Sequence, residues 1–208
     1  MSTRSEIPFT VLVVCTGNIC RSPQAERLLQ AEVLRLGWAG DVRVSSAGVA
    51  ALVGQPMPAQ AAAQTIGYGG NPTGHAAKQL VEPLIEEADL VLTMERAHRA
   101  AVVRMVPRAN RFAFTLPEFA RLALDLRASG EAPPTDAALP LSQRLRALVP
   151  EVAAGRGLSL PVEAEHDEVE DPYGRSDEVY ARSARQVASA VATVVEVLSE
   201  LSRPDSRG

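Results

Sequence analysis

Residues 11–23 constrain this chain more than any other stretch. Val11-Leu12-Val13-Val14-Cys15 is a β-branched apolar run, the pattern of a buried strand. Thr16 to Arg21 follow. A helical pattern then carries apolar Ala25, Leu28, Leu29, Val33 and Leu36 and ends at Gly37. Ser22 stands where an N-cap belongs and Pro23 at the first helical position. The chain therefore reads strand, tight loop, helix from its N-terminal end.

The alternation continues. Val42 to Ala47 reads as a second strand, Ala59 to Ile66 and His75 to Leu84 as helices, and Asp89 to Thr93 as a third strand. A helix from Glu95 to about Met105, a short strand from Arg111 to Phe114 and a long helix from about Asp177 to Leu201 complete the pattern. Strands alternating with helices predict an α/β three-layer sandwich: a four-stranded parallel sheet with helices on both faces and an anion-binding loop after the first strand. The stretch 115–170 differs. It holds helical patterns at Glu118–Leu126 and Leu141–Val149, with loop signals at Glu131–Pro134 and Gly155–Gly157. It reads as a helical insertion in a single 1–208 domain, expected near the rim of the site.

The loop has its own chemistry. Between the end of a parallel strand and a helix N-terminus, successive backbone N–H groups can converge on one anion, helped by the helix dipole. Gly17 lets the backbone curl tightly. Arg21 offers a planar fork for two oxygens of a phosphate. Cys15, facing the same centre, sits in a field that favours its thiolate. Ser22 is placed to hydrogen-bond the sulfur. Moving a phosphoryl group to sulfur leaves an oxygen that needs a proton, so a general acid is required elsewhere. Asp171-Pro172-Tyr173-Gly174 supplies one on a turn just before the last helix.

Cys-Thr-Gly-Asn-Ile-Cys-Arg-Ser-Pro at 15–23 together with Asp-Pro-Tyr at 171–173 resembles the low-molecular-weight protein tyrosine phosphatases, over about 9–114 and 168–200. The resemblance implies Cys15 as nucleophile, Arg21 as phosphate ligand and Asp171 as general acid. It makes Thr16, Gly17, Asn18, Ile19, Cys20 and Ser22 the rest of the phosphate loop. It also implies a strained backbone at Asn18, supported by Ser46 and His75, and a reversible disulfide between Cys20 and Cys15. Packing is an equally weighted reading of Cys20. Tyr173 and Leu52 are left to wall the substrate, where relatives often carry more aromatics. Ile19 favours phosphotyrosine, because the arginine-phosphatase branch has threonine there. His98 and His166 are read as surface residues, and Arg104, Arg108 and Arg111 as a solvated cluster.

Composition narrows the setting. A net charge of −4 gives no basic footprint for nucleic acid. No apolar run reaches the length of a membrane span, so the expected location is the cytoplasm. Two cysteines in 208 residues make no disulfide scaffold, and the histidines show no compact ligand spacing, so neither a metal nor a cofactor is expected. The expected partner is a phosphotyrosine protein, with a bacterial tyrosine kinase as candidate; oligomeric state stays open. Two other functions fit the loop: arsenate reduction with an external thiol, and phosphate binding without turnover.

Overall fold

The first strand, β1 (Phe9–Cys15), is central in a four-stranded sheet of order β2-β1-β3-β4, with β2 at Val42–Gly48, β3 at Leu90–Thr93 and β4 at Ala113–Thr115. All pairings are parallel, in registers that place Cys15 beside Gly48 and Val14 beside Thr93. The computed structural model describes residues 7–132, 136, 138–158, 163 and 166–203.

The alternation of side chains along β1 divides the core. Phe9, Val11, Val13 and Cys15 face one layer, while Leu12 and Val14 face the other. The first layer holds α1 (Arg21–Arg35), α5 (Leu116–Ser129), α6 (Leu141–Ala154) and α7 (Asp177–Leu201), which pack through Leu28, Phe119, Leu145 and Val191. The second holds α3 (Glu82–Glu86) and α4 (Arg96–Met105), through Ile85 and Val102. The remaining helix, α2 (Ala59–Gly67), joins α7 beneath the loop, where Ala61 meets Ile19, Cys20 and Tyr180. This is the expected three-layer sandwich.

Three expectations need correction. The stretch 75–81 is not helical. Its backbone is consumed by neighbours: Gly48 donates to Lys78 O (2.9 Å), Leu80 to Gly48 O (2.8 Å) and Ala77 to Gln55 O (2.9 Å). Only Glu82–Glu86 coils, with Pro83 in its first turn. Next, α1 starts at Arg21, and Ser22 caps nothing, because its hydroxyl is used in the site. Lastly, none of the residues of α5 lines the cleft that holds Cys15, and the helix belongs to the main core. It is set by a reciprocal cap in which Glu118 N–H donates to Thr115 Oγ1 (3.2 Å) and Thr115 N–H to Glu118 (3.0 Å). The other helix of that stretch, α6, packs in the same core and reaches the far end of the sheet through Arg146. Its Arg146 binds Asp89 (2.8 Å) and the carbonyls of Ile7 and Pro8, just before β3 and β1 begin.

Candidate active site

In a parallel sheet the carboxyl ends of the strands share one edge, and loops there converge. Here the loop after β1 meets the segment after β2, the start of α4 after β3, and the 167–173 segment before α7. The loop's carbonyls are turned outward one after another. Cys15 O accepts from Val49 N–H, Thr16 O from Ala50 N–H and Gly17 O from Leu52 N–H, each at 3.0 Å. Asn18 O accepts from His75 Nε2 at 2.7 Å. Since each peptide is planar and trans, the amides of residues 16–19 point the opposite way, into the hollow of the loop. Gly48 permits this closeness: a Cβ there would lie 2.4 Å from Thr16 O.

Asn18 is the only non-glycine residue with positive φ among the described residues (55°), a conformation that asparagine tolerates. Its amide nitrogen donates to Ser46 Oγ (2.8 Å) and Ser22 Oγ (3.0 Å), and its Oδ1 accepts from Lys78 N–H (2.8 Å). Both serine oxygens therefore accept, and their own protons go onward. Ser46 donates to Glu26 (2.5 Å), and Ser22 is left to donate to Cys15 Sγ (3.0 Å). The result is a directed chain of hydrogen bonds ending on the sulfur. Burial holds the His75 imidazole below its ordinary pKa, so the neutral ring donates through Nε2.

Arg21 is almost wholly buried. One terminal nitrogen pairs with Glu95 and donates to Val169 O (3.0 Å); the other pairs with Asp171 (3.1 Å). Asp171 also accepts from Tyr173 N–H (3.2 Å), which forms the expected turn. Cys15, Thr16, Gly17, Ile19, Cys20 and Arg21 line one cleft of about 150 Å³ with Asp171, Tyr173, Leu52 and Ala50. Tyr173 and Leu52 are exposed at its mouth. Both cysteines are free thiols. Cys20 packs among Ile19, Met57, Ala61, Ala77 and Tyr180. Burial pushes its thiol up to about 12.

Every candidate residue thus falls in or against this cleft, with Ser46 and His75 behind the loop. His98 was misplaced: it is buried, and its Nε2 meets Thr16 Oγ1 at 2.8 Å. Burial lowers its pKa. Glu95, Glu26, Gly48 and Ala50 were not singled out. Glu95 and His98 had a usable signal, since they follow β3 at the strand end that also carries the loop. His166, Arg104, Arg108 and Arg111 are exposed as expected. Among the described residues, no cluster of His, Cys, Asp and Glu is placed to hold a metal ion, and no helix is long and apolar enough to cross a membrane.

Such a site can hold a tetrahedral oxyanion on amides and a guanidinium, with a sulfur on one side and a carboxyl group beside it. Comparison with known proteins agrees. Over 101 residues the chain is 43% identical to the low molecular weight protein-tyrosine-phosphatase Etp of Escherichia coli K12, a match covering 49% of this chain and 64% of that protein. The low molecular weight protein tyrosine phosphatase of T. tengcongensis superposes with a TM-score of 0.64 at 30% identity, covering 90% of this chain and 98% of the other. The YwlE arginine phosphatase of Geobacillus stearothermophilus gives 0.63 at 27%, covering 93% and 94%. The chain spans slightly less than two thirds of the length of the curated Escherichia coli relatives it matches. The model of the family described as low molecular weight phosphotyrosine protein phosphatase matches residues 10–127, which includes the loop and stops short of Asp171. With that match over more than half its length, the chain belongs to the low molecular weight phosphotyrosine protein phosphatase family.

Proposed function

We propose that this chain hydrolyses phosphotyrosine in proteins through a cysteinyl-phosphate intermediate. The observation that carries the proposal is the meeting of Cys15, Arg21 and Asp171 in one cleft, with Arg21 paired to Asp171 at 3.1 Å. The Cys15 thiolate attacks phosphorus on the face opposite the leaving group. As the S–P bond forms, the P–O bond to the phenol breaks, and the Asp171 carboxyl group passes its proton to the departing oxygen. The loop amides and Arg21 stabilise the charge on the three equatorial oxygens. Water then attacks the same phosphorus. Asp171 takes a proton from it, the S–P bond breaks, and inorganic phosphate leaves with Cys15 again a thiolate. Ser22 stabilises that leaving sulfur through its hydrogen bond.

Ile19, Leu52, Ala50 and Tyr173 form the apolar part of the cleft and suit a phenyl ring. The whole chain is proposed to act as one phosphatase domain, its insertion running between Ser129 and Asp167 and thus narrower than 115–170. A catalytic thiol needs a reducing compartment, so the proposed location is the cytoplasm. The proposed substrate is a phosphotyrosine protein, with a bacterial tyrosine kinase as candidate. Arsenate reduction and turnover-free binding have no observation in their favour.

The test is turnover of aryl phosphates in the presence of a chelator. Full activity is expected there, background activity for Cys15→Ser, and a loss of about 10²–10⁴-fold for Asp171→Asn with phenyl phosphate. Activity surviving Cys15→Ser would overturn the mechanism. Phosphotyrosine and phosphoarginine peptides compared at equal concentration decide the substrate class, and faster release from phosphoarginine would overturn the phosphotyrosine assignment.

A further inference from the structure

We infer that Asp167 is a positioning residue for Asp171: a buried carboxylate, clamped by Arg96 of α4 and Arg121 of α5, fixes where the returning chain delivers the general acid. The inference rests on the phosphatase reading above.

The need for such a residue comes from the path of the chain. After Ser129 ends α5, the chain runs to the opposite end of the sheet, where Arg146 of α6 grips Asp89, and then meets the β4 edge at Arg156, whose guanidinium reaches Glu118 (2.7 Å) and Ala113 O (2.6 Å). Asp171 lies fifteen residues beyond Arg156, too far for that contact alone to set where the acid sits. Something after Arg156 has to set it, and Asp167 is the first buried charge after that point among the described residues.

Its contacts suit the task. Arg96 Nη2 reaches Asp167 Oδ2 at 3.0 Å, and Arg121 Nη2 reaches Oδ1 and Oδ2 at 3.2 and 3.4 Å. The two arginines come from helices on opposite faces of the sheet, so one carboxylate is referenced to both layers. With Asp167 buried and its two arginines part-exposed, the pairs are less screened than fully exposed ones. The residues that follow are tied in sequence. Glu168 accepts from Arg96 N–H (3.1 Å), Val169 N–H donates to Met94 O (2.8 Å), and Glu170 N–H donates to Gln186 (2.9 Å). The Glu170–Arg182 pair (3.0 Å) is more exposed and weaker. Asp171 itself is half-exposed and hangs at the end of this run. Its ties are to Arg21, which must also hold phosphate, and to its own turn. Its placement therefore depends on the anchors before it.

The test exploits what a general acid does. Proton donation matters most when the departing phenol is weakly acidic. Values of kcat/KM are measured for aryl phosphates from p-nitrophenyl to phenyl phosphate, for the full chain, Asp167→Asn and Asp167→Glu. In Asp167→Asn, p-nitrophenyl phosphate is expected to lose less than about threefold and phenyl phosphate about 10–100-fold, a steeper dependence on leaving-group acidity. Asp167→Glu, which keeps the charge, should recover part of the shallower dependence. A purely structural role reduces the active fraction and scales every substrate alike; that result, or no change at all, overturns the inference. Should Asp167→Asn fail to fold, Arg121→Gln carries the same test, and an unchanged dependence there also overturns it. A full chain that turns over no aryl phosphate defeats the phosphatase reading instead.

Discussion

Asn18 sits where the backbone of the loop must bend the wrong way for an L-residue, and its side chain pulls in three directions. Asn18→Ala keeps the strained φ and abandons three partners, two of them buried serines. A loss of about 2–4 kcal/mol in urea unfolding is expected, with a matching fall in kcat/KM. Asn18→Gly relieves the backbone but still loses the partners, so it should fall between alanine and asparagine in stability. Cys20 illustrates a different constraint at the same scale. Burial pushes its thiol up to about 12 and so leaves it protonated at pH 8. Iodoacetamide at that pH is expected to label Cys15 and spare Cys20, as read by peptide mass spectrometry, and inorganic phosphate should slow the reaction. The native thiol also holds its proton more firmly than the unfolded one. Its contribution to stability is therefore full below about 9 and is lost as pH climbs toward about 12.

Among the elements, those with a strong period were legible in the sequence. The β-branched run of β1 and the apolar stripe of α7 each state their own geometry, and the loop between β1 and α1 announced its chemistry through residue types alone. The stretch 75–81 was not legible. Its apolar spacing matches a helix, yet Gly48, Gln55 and Asn18 claim its backbone, and those claims exist only after the strands have paired. His98 was missed for the same reason, since its partner Thr16 is 82 positions away. Ser22 looked like a cap because a cap and a sulfur ligand call for the same hydroxyl. In α6, Pro150 is exposed inside the helix and removes one backbone donor. Pro150→Ala is expected to raise stability by about 1–3 kcal/mol without altering kcat/KM, which thermal melting and steady-state assays together would check.

Considered as a whole, the molecule keeps its chemistry at one edge of the sheet and the Arg146 contact of α6 at the other. β1 has its first residue beside the carbonyls that Arg146 grips and its last residue in the cleft, so about 20 Å lies between that contact and Cys15. Leu145 of α6 is fully buried in the core that also holds β1 and α7. Leu145→Ala should cost about 2–5 kcal/mol of stability, while kcat/KM per folded molecule stays the same. A change in KM would mean that α6 reaches the substrate after all. The clamp at Asp167 carries this separation further. Once two arginines rather than the preceding chain decide where the acid arrives, the length of that chain is released from selection by the reaction. The turn near Glu131 then becomes a port at which this scaffold can take up new sequence, whether through evolution or by splicing in a reporter protein, while the timing of proton delivery at the opposite edge of the sheet stays as it was.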